Sequence, residues 1–264
     1  GNCFSKAAGD PFNSIELSTK YARIGSKSVR MFNDGRYSNA EGHNNCPSFV
    51  KAETIKHRNE IRYGDGKGVG VFQSWGMNDE RWFRLSMYVP SNEGNFSQWS
   101  AESAASVAMI AQWIGSQDTD LGHELALLLA PGPRIVVESV YGTTATQGTE
   151  YPQNIGGFNL KKDSWNDIIV RHRRNWQTPA ENPTGHGIIQ IWANCTDWGS
   201  CTPVVNYSGR AAIRWMPVAW HKSGPYTYAH KYDRQISVYM DAIKMGIRES
   251  ETDAQMLNLM AAEY

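Results

Sequence analysis

Short runs of apolar or alternating residues recur along the chain, and clusters of Gly, Pro, Asn and Asp separate them. Such runs predict β-strands, because a half-buried strand turns every second side chain to the core and turn residues mark its ends. The predicted strands are Ser28–Asn33, Thr54–Tyr63, Gly68–Ser74, Arg81–Val89, Ser106–Ile114, Glu124–Leu129, Arg134–Val140, Asn166–Arg173, Gly187–Ala193, Ala212–Ala219 and Gln235–Met245. Helical periodicity is scarce and is clearest over Asp253–Ala262. The pattern predicts an all-β protein with few short helices.

The run 82–89 alternates regularly. One face carries Phe83, Leu85, Met87 and Val89, and the other carries Arg84, Ser86 and Tyr88. We expect the first face in the core and the second in solvent, as is common in antiparallel sheets. Many such strands, without a linker, predict one domain over residues 1–264, folded as a β-jelly-roll sandwich of two antiparallel sheets. If one sheet curves, its outer face forms a concave substrate groove.

Three charged residues alternate in one predicted strand, namely Arg58, Glu60 and Arg62. On a strand, period-2 geometry sends all three to the same face. A charged row of this kind is paired locally or faces a charged ligand in a cleft. Two arginines against one glutamate leave a positive surplus, which suits an acidic substrate. The alternative is a solvated strand face with local ion pairs.

The charge balance argues against a general affinity for polyanions. The chain has 26 basic and 26 acidic residues, so its formal net charge is zero. We therefore expect no binding to nucleic acid or to anionic membranes, and any attraction for an acidic polymer must be local. No apolar run is long enough to span a bilayer. We expect a monomer from which any secretion signal has been removed or was never present.

Four cysteines and three glycosylation triplets favour a secreted protein. Cys195 and Cys201 bracket a five-residue loop that a disulfide can close, and Cys3 would then pair with Cys46. Four cysteines allow three pairings, so this one is a preference. The triplets begin at Asn95, Asn194 and Asn206. Together they favour an extracellular, disulfide-bonded glycoprotein, although such triplets also arise by chance.

Two motifs carry a resemblance to a known family. The strand Arg58-Asn-Glu60-Ile-Arg62 resembles the arginine-x-glutamate-x-arginine strand of the jelly-roll polysaccharide lyases, which include alginate lyases, glucuronan lyases and heparin lyase I-like enzymes. The run 110–114 contains Gln112 and resembles their glutamine-x-histidine strand. Segments 82–90, 163–170, 187–194 and 238–241 resemble further strands in the family's order. The resemblance spans residues 25 to 250 and implies a jelly-roll polysaccharide lyase that acts by β-elimination.

The resemblance implies roles for several residues. Arg58 and Gln112 would neutralise the sugar carboxylate, Arg62 would bind a neighbouring uronate, and Glu60 would hold the arginines. The lysine-x-glycine-x-tyrosine strand of the family has no clear counterpart in this chain. The tyrosine-rich segment 225–232 lies nearest to it, and within it Tyr228 is the candidate for proton transfer. His221, with Lys222 beside it, is the next candidate, and His123 is the third.

The chain also departs from the family at Ile114, which replaces the histidine two residues after the glutamine. When the C5 proton and the leaving oxygen lie on the same ring face, one tyrosine can both accept and donate the proton. Glucuronate and mannuronate have this syn arrangement, whereas guluronate requires anti elimination and, in this family, the histidine. The loss at position 114 therefore predicts a polymer such as glucuronan or mannuronate-rich alginate.

Other signatures are weak. No spacing suggests zinc, and no cofactor is expected, although the acidic loops 78–80 and 118–120 could hold structural calcium. A lectin-like module on the same fold, which binds sugar without chemistry, is one alternative to the lyase. A jelly-roll glycoside hydrolase is the other, but the chain lacks a Glu-x-x-x-Glu or Glu-x-Asp-x-Glu strand pattern.

Overall fold

A computed structural model of the chain describes residues 13–34, 56–58, 61–63, 75–93, 108–117, 120–130, 132–228 and 235–263. Within these residues the strands are β1 (Asn13–Ser18), β2 (Ser28–Asp34), β3 (Lys56–Arg58), β4 (Ile61–Tyr63), β5 (Trp75–Gly76), β6 (Glu80–Tyr88), β7 (Ala108–Gln117), β8 (Asp120–Ala130), β9 (Arg134–Tyr141), β10 (Tyr151–Asn159), β11 (Trp165–Arg173), β12 (Gly187–Ala193), β13 (Val205–Gly209), β14 (Val218–Tyr228) and β15 (Gln235–Gly246). A 3₁₀ turn covers Trp198–Ser200, and one helix, α1, covers Asp253–Ala261.

The described strands form two antiparallel sheets. The seven-stranded sheet has the order β1-β2-β15-β6-β11-β12-β13. The eight-stranded sheet has the order β10-β9-β8-β7-β14-β3, and β4 and β5 also pair with β14. The predicted all-β sandwich of two antiparallel sheets is therefore confirmed.

Several predicted strand boundaries change. The predicted strand Thr54–Tyr63 contains two short strands, β3 and β4, while Gly68–Ser74 lies outside the described residues. The prediction for Ala212–Ala219 was wrong, because most of that segment is a loop that leads into β14. The sequence does not predict strands β1, β5, β10 and β13. Strand β10 contains a proline and two glycines and lies at a sheet edge, where such residues are tolerated.

The core lies between the two sheets and receives alternate residues of their strands. Strand β6 contributes the apolar face that the sequence predicts, and these four side chains are at most 3% exposed. Its neighbours in the core are aliphatic and aromatic side chains of both sheets, including Ile110, Trp113, Leu125, Leu127, Val137, Ile168, Val170, Ile189 and Val238. Burial of this apolar surface drives the sheets together.

The opposite face of β6 is not in solvent, which corrects the sequence prediction. Arg84 is 2% exposed and Ser86 is fully buried. Helix α1 covers the outer side of the seven-stranded sheet, and its Leu257 packs in a cluster with Trp82 and other apolar residues. Arg84 donates a hydrogen bond of 2.6 Å to the carbonyl oxygen of Ala261, at the end of α1. The polar face of β6 is thus the docking surface of a helix.

A fully buried ion pair links the two sheets. Glu124 of β8 and Arg174, which follows β11, are both inaccessible to solvent. The guanidinium binds the carboxylate with two hydrogen bonds, Nε to Oε2 at 2.6 Å and Nη2 to Oε1 at 2.7 Å. Arg174 also donates to the carbonyl oxygens of Trp75, Met216 and Pro217. Because each charge is paired and hydrogen-bonded, the pair is tolerated in the interior.

Removal of one partner of this pair should destabilise the protein strongly. The variant Glu124→Gln leaves Arg174 as an uncompensated buried charge, so we expect a loss of about 3–5 kcal/mol in the free energy of unfolding. The matched control is Glu16→Gln, which removes the half-exposed partner of Arg30 and should lose no more than about 1 kcal/mol. Urea denaturation of both variants measures the difference, and equal losses would contradict the structural role of Glu124.

Candidate active site on the eight-stranded sheet

A cross-strand row joins the predicted site residues of three strands. The antiparallel register places Arg62 of β4 opposite Lys222 of β14, and Lys222 opposite Gln112 of β7. The row continues through Ala126 of β8 to Glu138 of β9. Directly paired residues lie on the same face of a sheet. The register therefore brings together Arg62, Lys222 and Gln112, which are distant in sequence.

This row lies on the outer face of the eight-stranded sheet. The neighbouring residues Ala111, Trp113 and Leu125 belong to the core, and successive strand residues point to opposite faces. Gln112 is nevertheless only 4% exposed, and Lys222 is half-buried. A glutamine that is this deeply buried has few accessible rotamers, so its side-chain amide is held in one orientation and is not free in solvent.

A second row lies beside the first. Arg58 of β3 is opposite Tyr226 of β14, and Tyr226 is opposite Met109 of β7. Arg58 and Arg62 therefore occupy the same outer face. Glu60 lies outside the described residues. Tyr228 is placed opposite Lys56 at the end of β14.

A bulge in β14 determines which residue of β7 lies opposite Tyr226. The pairing of β14 with β7 shifts between Ser223 and Tyr226, and Gly224 between them has a φ of +129°. Only glycine adopts such a backbone readily, and Pro225 lacks the N–H that a regular ladder would use. Tyr226, which is 5% exposed, lies on the outer face with Lys222 by strand alternation, and it pairs with Arg58 in the register that pairs Lys222 with Arg62. The bulge changes only its partner on β7, which is Met109.

Tyr226 is not among the residues that the sequence predicts for proton transfer. The segment Lys222-Ser223-Gly224-Pro225-Tyr226 has the lysine-x-glycine-x-tyrosine spacing for which no counterpart was recognised. The signal was present in the sequence. It was overlooked because the predicted strand ended at Ala219, before the motif, whereas β14 begins at Val218 and contains all of it.

His221 lies on the core side of β14, so we discard it as a proton-transfer candidate. It is 2% exposed, and its ring lies 4.6 Å from the ring of Trp113 and 5.1 Å from that of Phe83. Its Nε2 atom is 2.6 Å from Ser223 Oγ. Burial lowers the pKa of His221 to about 3. Since it precedes Lys222 by one residue, strand geometry sends it to the opposite face.

The carboxylates of the acidic loop 78–80 have partners within the protein. Glu80 accepts hydrogen bonds from Arg171 Nη2 and Trp82 Nε1, both at 2.8 Å, and pairs with Arg248 at 3.2 Å. Asp79 accepts a bond from the backbone N–H of Gly76. In the part of the chain that the structure describes, no group of three His, Cys, Asp or Glu residues could hold a metal ion. Asp118 of the other loop lies outside that part.

The predicted disulfide between Cys195 and Cys201 is confirmed. Cys3, Cys46 and Asn95 lie outside the described residues. The Nδ2 atom of Asn194, to which a glycan would attach, donates a 3.0 Å hydrogen bond to Asn166. Asn206 is exposed on β13, at the edge of its sheet. None of the described helices is long and apolar enough to cross a membrane.

Comparison with known proteins identifies the family. A family model described as polysaccharide lyase matches residues 11–244 of the 264. The chain therefore belongs to the polysaccharide lyase family and is a lyase, as the two strand motifs indicate. No curated protein matches the chain.

Solved structures establish the fold. The endo-β-1,4-glucuronan lyase of the fungus Trichoderma reesei is 10% identical, with a TM-score of 0.63 and coverage of 94% of this chain and 92% of that one. An alginate lyase from Aplysia kurodai is 12% identical, with a TM-score of 0.51 and coverage of 89% and 87%. The family 7 alginate lyase A1-II′, in complex with substrate, is 11% identical, with a TM-score of 0.50 and coverage of 89% and 83%. The predicted jelly-roll fold is confirmed.

The core position of His221 makes stability dependent on pH. Its folded pKa of about 3 is below the ordinary 6.5, so between these values the unfolded chain binds a proton that the folded chain does not. Stability from this residue is complete above pH 6.5 and falls as the pH drops, by about 1.4 kcal/mol per pH unit. His172, with a pKa also near 3, adds a similar loss.

When the pH is lowered from 6.5 to 5, we expect the free energy of unfolding of His221→Asn to fall by about 2 kcal/mol less than that of the wild type. Urea denaturation at the two pH values measures this difference. The same acid-induced loss in the variant and the wild type would show that His221 is not buried in its neutral form.

Proposed function

We propose that this lyase cleaves a 4-linked polyuronate by β-elimination on the outer face of the eight-stranded sheet. The observation that carries the proposal is the register, which brings Arg62, Lys222 and Gln112 into one row and Arg58 and Tyr226 into the next. Three basic residues on one face supply local positive charge in a chain with no net charge. The similar structures, a glucuronan lyase and alginate lyases, agree with an acidic polymer.

The reaction requires a neutralised carboxylate. The proton at C5 of a uronate is weakly acidic until donors compensate the adjacent carboxylate, and these donors must bind more strongly as the enolate-like state forms. Gln112 and Arg58 are the donors in our proposal, since an amide and a guanidinium both suit a planar carboxylate. Arg62 and Lys222 bind the carboxylate of a neighbouring sugar, and Glu60 orients the arginines.

Tyr226 is our candidate for the proton transfers. It replaces Tyr228 as the first choice because it stands four residues after Lys222, beyond the bulge at Gly224, and pairs with Arg58. Syn elimination uses the ionised form of Tyr226: it accepts the C5 proton, the C4–O4 bond breaks, and the hydroxyl formed in this way then protonates the leaving O4. No metal or cofactor takes part in these steps.

Syn geometry indicates the polymer. Ile114 occupies the position of the family histidine that serves anti elimination, so the principal substrate is glucuronan or mannuronate-rich alginate. We further propose a secreted, single-domain monomer, which the Cys195–Cys201 disulfide supports because such bonds persist in oxidising compartments. Among the three triplets, exposed Asn206 is the best candidate for a glycan.

Incubation with a panel of polyuronates tests the substrate. We expect glucuronan or polymannuronate to give a rise in the ultraviolet absorbance of unsaturated uronate ends, because elimination creates a C4=C5 double bond. Cleavage of polyguluronate without cleavage of glucuronan or polymannuronate would contradict the syn proposal. New reducing ends without the absorbance would indicate a hydrolase, and retention without cleavage would indicate a lectin-like module.

Substitution of the tyrosines tests the proton-transfer group. We expect Tyr226→Phe to lower kcat on the preferred polymer by about 100-fold or more, since general acid–base catalysis contributes at least that factor. Tyr228→Phe should retain most of the activity, and the control Tyr151→Phe, on exposed strand β10, should be unaffected. If Tyr228→Phe loses activity while Tyr226→Phe remains active, Tyr228 is the proton-transfer group and the assignment to Tyr226 is wrong.

A further inference from the structure

His123 lies on the outer face of the eight-stranded sheet because β8 contains a bulge. Trp113 of β7 pairs with Leu125, but the next residue, Ile114, pairs with His123, so Glu124 is the extra residue. Trp113 and Leu125 point into the core, and Ile114 and His123 therefore take the outer face. Without the bulge, strict alternation would place His123 on the core side with Leu125.

His123 is held by a carboxylate. Its Nε2 atom lies 2.7 Å from Oε1 of Glu138 on the next strand, β9, and the two side chains are 24% and 29% exposed. A carboxylate at Nε2 favours the tautomer with the proton on that atom, which leaves the Nδ1 lone pair to accept a proton. In catalytic triads a carboxylate also orients the basic histidine, although there it binds Nδ1 and leaves Nε2 as the base.

The position of His123 relative to Tyr226 fits one sugar between them. Tyr226 pairs with Met109 and His123 pairs with Ile114, so the two lie towards opposite ends of Gln112 along β7. Residues 109 and 114 are roughly 16 Å apart on an extended strand, and β14 and β8 lie roughly 10 Å apart on either side of β7, so the backbones at Tyr226 and His123 are roughly 19 Å apart. A tyrosine side chain, one sugar ring and a histidine side chain together can bridge such a span. Ala126, between Gln112 and Glu138 in the row, adds little bulk to this part of the face.

We propose that His123, supported by Glu138, is a second catalytic base that extends the substrate range to uronates requiring anti elimination. It stands directly across from Ile114, one strand away from the position at which the family carries its histidine. This inference rests on the proposed polyuronate lyase function. It changes the consequence of Ile114, because the histidine is displaced to the neighbouring strand instead of being lost.

The step involves two residues on opposite faces of the ring. Nδ1 of His123 accepts the C5 proton, and the C5–H electron pair forms the C4=C5 double bond as the C4–O4 bond breaks. The leaving O4 takes the hydroxyl proton of Tyr226. His123 then releases its proton to water and Tyr226 regains one from water, so both groups return to their initial states.

Kinetics on polyguluronate and on polymannuronate or glucuronan test the proposal. We expect the wild type to cleave both classes. His123→Gln should lower kcat on polyguluronate by about 100-fold or more while changing turnover of the syn polymer by less than about 3-fold. Glu138→Gln should lower the anti activity by a smaller factor, because Glu138 acts through His123.

The ratio of the two activities separates catalysis from folding. If His123→Gln lowers turnover of polyguluronate and of the syn polymer by the same factor, their ratio stays at the wild-type value. The substitution then affects folding alone, and the catalytic role of His123 is overturned. The role would also be overturned if the wild type cleaves syn polymers and leaves polyguluronate intact. Failure to cleave any polyuronate would instead reject the underlying lyase proposal.

Discussion

The buried ion pair of Glu124 and Arg174 constrains both the sandwich and the site. Arg174 follows β11 of the seven-stranded sheet, and its guanidinium donates to the Glu124 carboxylate and to backbone carbonyls. Glu124 of the other sheet must therefore point into the interior to reach it. The backbone N–H of Ile213 donates to the same carboxylate. A charge held in this way in the interior has no alternative position of comparable energy. The bulge in β8 follows, because Glu124 occupies a position that the regular ladder does not provide.

A second bulge lies in β14, on the other side of β7, and it also changes the register with β7. In β14 the two residues Gly224 and Pro225 lie opposite the single residue Ile110, so Tyr226 pairs with Met109, while the bulge at Glu124 places His123 opposite Ile114. Strand β7 itself carries Gln112 between these positions. The two strands that flank β7 thus each carry a proton-transfer candidate on the same face: Tyr226 by regular alternation from Lys222, and His123 through the bulge at Glu124. Bulges re-aim side chains while the rest of the sheet stays paired.

The sequence predicts the regular parts of the fold better than these irregular ones. Alternation in β6 located the core side chains, and the motif around Arg58 located the outer face, because both depend only on period 2. Alternation could not reveal that α1 covers Arg84, since that contact joins residues far apart in sequence. It also fails at His221, whose proximity to Lys222 suggested a shared site. Adjacent strand residues face opposite sides, and only the register decides which one lies outside.

The acidic residue on the outer face also needs a physical reason. Glu138 lies in the row of Gln112 and Lys222, on the face that we assign to a polyanion, where an isolated carboxylate would repel the substrate. Its hydrogen bond to His123 ties the carboxylate to a group that can share its charge. An anionic polymer would then be repelled mainly at the β9 side of this face, whereas the basic residues of β3, β4 and β14 would attract it at the other side. On the proposed function, an acidic polymer would therefore approach Gln112 from the basic side, and His123 would separate it from the Glu138 carboxylate.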